Sequence, residues 1–421
     1  MKIDRGLLGT LAVAALGAAC ASAGGTGAGG GGPRVSVPVP TVACSTGPLA
    51  TSPSADSAAA NLTLIATVAD SAQRVQYTLA RAQAGRAIAA GQASAYGYYL
   101  AGQAAIGLAD YADADSLFRR SVELCPELGE YDVNRLRRGT ASLSLERGGA
   151  LIQSGDTTAA AAAYQTALNL DPNSYPAEFY LGLVSFNRQN TEEAVRRWRR
   201  VLQVIDALPA DSSAEVMANR AETRGNTLNA LVLASAQHLN RQQSAEAAAL
   251  LADLTRWLPN SPDAWYNYAL ALNNLQRYTD LVPVAQRATE ISPLSYGAWV
   301  LYYNAYAGQS QAATAAGNTA QAGELGRQAR QISSRSEALP VQLESFNIDV
   351  EGENTLIRGV AVGAGPTAPV QVEFTLHGSS GELGRGTVTI TPPARQEQTP
   401  FELTIPNSAP VLGVTYRVAG S

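Results

Sequence analysis

Beyond Lys2 the 421-residue chain contains no lysine, so every later basic side chain except two histidines is an arginine. That excludes the Schiff-base and phosphate-loop chemistry that depends on a compact ammonium group. Histidine is nearly as scarce. With only His238 and His377, serine and cysteine nucleophiles have no obvious base. Three cysteines, Cys20, Cys44 and Cys125, lie too far from each other and from the histidines to match a zinc-site spacing. The formal charge of −5 lacks the basic excess that nucleic acid attracts. Aspartates and glutamates are scattered over helix starts and faces, where capping and ion pairing employ them. These absences lead to the expectation of a chain that is not an enzyme and needs no cofactor, metal or nucleic acid.

What is present begins with an amino terminus that has a charged start, an apolar run from Leu7 to Leu16, and Gly17, Ala18 and Ala19 before Cys20. The run is too short to span a bilayer and reads as an export signal over residues 1–20. It resembles a bacterial lipoprotein signal, which implies lipidation at Cys20 and anchoring in the cell envelope, at the outer membrane on its periplasmic side. Ordinary cleavage near Ala21-Ser22-Ala23 is the alternative, and either ending exports the chain. If Cys20 carries lipid, Cys44 and Cys125 are left as an even pair in an oxidising compartment. They are expected as a disulfide tying the leader to the first repeat, against the alternative of two unpaired thiols. Residues 21–54 form a tether, with Gly24–Gly32 flexible and Pro33–Pro40 stiffer. No GKS/T ending or helix start follows the glycines, so they are not a phosphate loop.

The middle of the chain is organised by a spacing of 34 residues. Gly148, Ala160, Tyr164 and Ala167 return as Gly182, Ala194, Trp198 and Val201. The same register places Gly102, Ala114, Phe118 and Ser121 earlier, then Ser235, Ala247 and Leu251, then Ala269, Leu281 and Ala285. Small residues let two antiparallel helices approach closely, and one large side chain a turn away fills the groove beside them. Asp110-Tyr111, Gly155-Asp156 and Gln189-Asn190 fall at the turns between paired helices. This pattern resembles the tetratricopeptide repeat. It implies a mainly α chain: capping helices over 55–94, then a solenoid of about six helix pairs over 95–340. Pro209–Thr227 is expected as a polar insertion, partly helical from Ser213, and Gly308–Ala322 as a stretch delaying the last second helix.

After Pro340 the apolar period falls to two. Val370, Val372, Phe374 and Leu376 alternate with polar residues, as do Phe401, Leu403 and Ile405, and Val414, Tyr416 and Val418. Short alternating strands over 341–421 predict a small all-β sandwich. Ile357-Arg358-Gly359, Val372–His377 and Pro400–Leu403 resemble the FxLYD immunoglobulin-like extracytoplasmic domains, with Leu376-His377-Gly378 where that family has Leu-Tyr-Asp.

The repeat resemblance implies a groove lined by the first helix of each pair. Carried over by position, that face comprises Tyr96, Tyr99, Gln103, Phe179, Leu183, Phe186, Tyr266, Leu270, Asn273, Val300 and Asn304. Aromatic side chains supply large contact area at low entropic cost, which suits a protein or peptide partner. The lysine clamp that some members use on peptide carboxyl termini has no counterpart here. The expected function is a non-enzymatic envelope scaffold, within an assembly or secretion complex. The alternative is a cell-wall or glycan-binding accessory protein, using the sandwich together with Arg196, Arg197, Arg199 and Arg200. His238 is expected inside a repeat and His377 facing solvent.

Overall fold

The computed structural model describes residues 42, 44–45, 52–65, 68–90, 94–211, 213–365, 368–379 and 381–419. The expected signal, the lipidation site at Cys20 and most of the tether over 21–54 lie outside them. Fourteen α-helices are followed by six strands among the described residues, and the chain divides into two compact units between Val184 and Ser185.

The first unit holds α1 (Pro53–Leu64), α2 (Asp70–Ala89), α3 (Ala95–Gly107), α4 (Tyr111–Leu124), α5 (Asn134–Gln153), α6 (Thr157–Leu170) and most of α7 (Tyr175–Asn187). A π-helical turn, Gly129–Val133, leads into α5. The helices pair as α1 with α2, α3 with α4 and α5 with α6. Close approach is visible at the glycines. A Cβ on Gly102 would lie 2.6 Å from the Phe118 ring, and one on Gly148 would lie 2.4 Å from the Tyr164 ring. Both rings are fully buried, and each such filler contributes about 2–3 kcal/mol through the apolar surface it removes from water. Cys44 and Cys125 are joined by a disulfide, Cα atoms 5.2 Å apart. Val42 and Cys44 thereby rest against the α1–α4 core. Glu127 lies beside the two sulfurs and accepts from the Ser45 N–H at 3.1 Å; with both sulfurs consumed in the bond, the trio has no thiolate for a metal.

The second unit holds the end of α7, then α8 (Thr191–Ala207), α9 (Ala214–Asn240), α10 (Ser244–Trp257), α11 (Pro262–Asn274), α12 (Tyr278–Ile291), α13 (Tyr296–Ala315) and α14 (Thr319–Glu337), followed by the strands. The polar insertion is helical from Ser213 on, as expected, and runs without a break as the first half of one 27-residue helix, α9, because Ser213 caps its start and Arg220 and Arg224 fold back onto Pro209 and Asp206. The Gln/Ala/Gly stretch delays the last helix as expected, to Thr319, where a 34-residue step from Tyr278 would start it at 312. It continues α13 to Ala315, since Ala and Gln are good helix formers and Gly308 admits the Tyr278 ring against the backbone.

The turns inside the pairs share one geometry. Ala109, Gly155, Gln189, Gln242, Gln276 and Gly317 all have φ between +55° and +86°. In each turn the next residue's N–H bonds a carbonyl five residues back, as from Asp110 to Ala105, Asn190 to Ser185 and Gln243 to His238, each at 2.9 Å. This ends the first helix with a left-handed residue and starts the second within two residues. Asp110, Asp156, Asn190 and Asn318 then cap the second helix by side chain.

The strands are β1 (Val341–Glu351), β2 (Asn354–Gly363), β3 (Val370–Gly378), β4 (Gly381–Ile390), β5 (Gln398–Pro406) and β6 (Gly413–Val418). They form two antiparallel three-stranded sheets, ordered β1-β2-β5 and β4-β3-β6. Val370, Val372, Phe374 and Leu376 all point inward. Phe374 meets the rings of Phe346, Phe401 and Tyr416 at centroid distances of 5.9, 5.8 and 5.3 Å. The sheets are fastened to the helices of their own unit: Leu343 N–H bonds Leu294 O at 2.9 Å, and Leu294 and Leu339 belong to the sheet core. The chain is thus mainly α, with helix pairs followed by an antiparallel β region. No helix among the described residues is long and apolar enough to cross a membrane.

Candidate functional site

The proposed groove residues divide into three sets. Tyr96, Tyr99 and Gln103 are core, each about 1% exposed, and do not line a groove. The cause is the neighbouring structure on α3. Helix α1 packs against α3 and brings Asp56 near Tyr96, while the Tyr99 hydroxyl donates to Asp132 Oδ2 at 2.6 Å. The Tyr96 hydroxyl and Gln103 Oε1 are sealed without a hydrogen-bond partner among the described residues, so they cost stability rather than await a ligand. Burial, and then Asp56, raises the Tyr96 phenol above its usual pKa.

Phe179 and Leu183 are half-buried in the first unit, where both pack on the Tyr164–Tyr180 cluster and the Phe179 ring meets Tyr180 edge-on at 5.6 Å. Phe186 lies in the second unit against Trp198, centroids 5.6 Å apart. It fills space beside a buried indole.

The third set, Tyr266, Leu270, Asn273, Val300 and Asn304, is gathered on one surface. Helices α11 and α13 are both first helices of their pairs and pack side by side. A step of 34 residues carries Tyr266 to Val300 and Leu270 to Asn304, so equivalent positions face the same way. All five side chains are half-buried. The Tyr266 ring lies over Gly297, where a Cβ would be 3.0 Å from Cε2, and burial raises its phenol pKa. The Asn273 and Asn304 side chains make no hydrogen bond among the described residues, nor is either wholly sealed from solvent. Charge is absent from α13 and limited to Asp263 on α11.

Further aromatic residues on these helices went unnoticed as site candidates. Along α13, Trp299, Tyr302 and Tyr306 follow one another at 6.4 and 5.6 Å, and Tyr296 and Tyr303 are exposed. Their signal in the sequence was plain, five aromatics within eleven residues without a charge. Trp265 and Trp299 occupy equivalent positions, and each indole N–H donates to a proline carbonyl six residues back, at 3.0 and 2.8 Å. They lock the helix starts.

The arginine face has internal partners: Arg196 and Arg197 both pair with Glu193, and Arg199 reaches Asp253 at 3.4 Å. His377 is half-buried rather than solvent-facing, with Nε2 2.9 Å from Thr415 Oγ1, and desolvation lowers its pKa. His238 is buried inside its repeat.

One tetratricopeptide-repeat family model matches residues 145–212 and 237–296, and a second such model matches 95–128. These stretches are tetratricopeptide repeats. Among solved structures the chain is similar to YrrB, described as a tetratricopeptide-repeat protein with an unusual peptide-binding site. That alignment has 17% identity and a TM-score of 0.29, and covers 50% of this chain and 92% of that one. It is also similar to MamA from Desulfovibrio magneticus, with 15% identity, a TM-score of 0.29, and coverage of 46% and 95%. The C-terminal part of a repeat protein from Cytophaga hutchinsonii aligns at 13% identity with a TM-score of 0.30, covering 67% and 95%. Comparison with curated proteins gives no match.

Proposed function

We propose that this repeat protein is an exported, envelope-anchored scaffold that holds an extended, uncharged segment of a protein partner across α11 and α13. The observation that carries this is the pair of half-buried amides, Asn273 and Asn304, without a side-chain hydrogen bond among the described residues, on the two adjacent helices that carry Tyr266, Leu270 and Val300. An amide offers two donors and an acceptor, the complement of a peptide backbone, and leaving it unmet on a partly dry surface costs free energy that a bound chain recovers. Tyrosine and aliphatic neighbours take the apolar side chains of the same segment. The lack of charge on this face disfavours a strongly ionic partner. Lipidation at Cys20 would place the body at a membrane surface, and the Cys44–Cys125 bridge agrees with an oxidising compartment. We read the β region as an immunoglobulin-like domain of the same scaffold.

The test is crosslinking in the native envelope, purification through a carboxyl-terminal tag and mass spectrometry. It is repeated with Tyr266→Ala, Asn273→Ala and Asn304→Ala combined. A protein captured at fixed stoichiometry and lost in the folded triple variant supports the reading. A partner retained by that variant, or none at all, sinks it.

A further inference from the structure

The second unit also has a polar pocket of about 300 Å³, on the edge where the α7–α8 turn meets the α9–α10 turn. It is separate from the α11–α13 surface and calls for different chemistry. Gln189, Thr191 and Glu192 line it from one turn, and His238, Arg241 and Gln243 from the other.

Arg241 is held rigidly by neutral groups. Its Nη1 donates to Thr191 Oγ1 at 2.9 Å, and its Nη2 to Gln189 O at 2.9 Å and Gln189 Oε1 at 2.6 Å. Thr191 and Gln189 are themselves fixed by the buried Gln237 amide, which accepts from the threonine hydroxyl and donates to Gln189 Oε1 at 3.0 Å. Arg197, Arg199, Arg277 and Arg287 in the same unit each have a carboxylate partner, whereas Arg241 has none among the described residues. A guanidinium fixed in this way keeps its charge for a ligand.

His238 is 4% exposed. Its Nδ1 sits 2.9 Å from Gln243 Oε1, while Nε2 has no partner among the described residues and is not among the sealed polar atoms, so the ring opens into the pocket it lines. Gln243 stands at the N-cap of α10 but makes no capping bond there, because its side chain serves the histidine. The positive end of α10 therefore adds to the same edge. Arg188 also lines the pocket, and against these cationic groups stands Glu192, exposed on the rim with no described partner. It repels a second negative charge.

We infer that this pocket binds a small oxyanion, a carboxylate before a phosphate, between Arg241 and His238 Nε2. The chain's two histidines make the test direct, because imidazole-labelled protein gives one resonance set each for His238 and His377. Sodium acetate and inorganic phosphate are titrated separately against sodium chloride at matched ionic strength. The expected result is a saturable acetate-dependent shift at His238 in the millimolar range, about 1–10 mM, with His377 moving no more than in chloride. Arg241→Gln weakens binding roughly tenfold or more, and Arg277→Gln leaves it unchanged. Should Arg241→Gln loosen the turns, Glu192→Gln removes no described bond and is expected to tighten acetate and bring phosphate in. Shifts that never saturate, that His377 shares equally, or that ignore both Arg241 and Glu192 would overturn the site. Saturation by phosphate alone in the native chain would overturn the preference for a carboxylate.

Discussion

Two glycines on α5 offer a matched test of how the repeats are held together. Gly139 is exposed, with nothing within 4 Å of an added Cβ. Gly148, nine residues on along the same helix, would place that Cβ 2.4 Å from Tyr164 Cε1. In a helix interior alanine is favoured over glycine by about 1 kcal/mol, and Gly139→Ala should gain most of that. Gly148→Ala gains the same propensity but must displace a ring that is fully buried and stacked on Tyr180 at 5.0 Å with planes 13° apart. Overpacking of this kind costs about 1–3 kcal/mol. The two variants should therefore differ by roughly 1–3 kcal/mol, with Gly139→Ala stabilising and Gly148→Ala neutral to destabilising. Hydrogen exchange followed by mass spectrometry on peptides from Asn134–Gln153 and Thr157–Leu170 reads the local opening energy without requiring the whole chain to unfold in two states. If Gly148→Ala protects these peptides as much as Gly139→Ala does, the close approach is not what sets the register, and the reasoning fails.

Two further outcomes test other parts of the molecule. The Cys44–Cys125 bridge closes a separation of 81 residues, for which the chain-entropy relation gives about 4.5 kcal/mol as an upper value. Cys44→Ser should lower the melting temperature of the first unit, and alkylation of the unreduced chain should leave Cys125 unlabelled; a labelled Cys125 in that sample refutes the bridge. In the second unit burial first, then Tyr306, pushes the Tyr302 phenol from 10.0 up to about 12. The folded state keeps the neutral phenol while the unfolded chain ionises it. Stability is accordingly intact below pH 10 and lost as pH rises toward 12. Tyr302→Phe should flatten that loss in a thermal-melt series, and an unchanged slope would count against the assignment.

The repeats were readable because they rest on a contrast of sizes. Glycine facing a ring, as at Gly102 with Phe118 and Gly148 with Tyr164, leaves the same mark in sequence as in space. Inward-facing strand residues were readable for a similar reason, since alternation in Val370–Leu376 becomes alternation in burial. The groove was less legible. A first helix buries aromatics both where it meets the preceding pair and where it faces a partner, and spacing alone cannot separate these directions. Tyr96 and Tyr266 are the same residue type on first helices, yet α1 and Asp132 close over the Tyr96–Tyr99 face while Tyr266 stays half open. The length of α9 was hidden by its polar first half, whose helicity rests on a cap and on arginines reaching back to Pro209 and Asp206.

The turn edge lay further from view. Each turn needs one left-handed residue, for which glycine is the usual marker, but only Gly155 and Gly317 carry it; Ala109, Gln189, Gln242 and Gln276 adopt the same φ. The repeated six-residue hydrogen-bond loop and the packing of adjacent pairs hold those residues where their own preference would not. In the sequence Gln189 and Thr191 lie about fifty positions from Arg241 and Gln243, each well explained as solvated surface, and His238 reads as an interior histidine of its own repeat. Stacking brings the two turns together, and the buried Gln237 then bonds across both. A periodic array repeats its interior, so periodicity reveals the interior; its edges are free to differ from one repeat to the next. The chemistry that distinguishes this array from another with the same core therefore belongs at such an edge. In the second unit, Arg241, held by neutral groups with no carboxylate partner among the described residues, beside the His238 ring is such an edge.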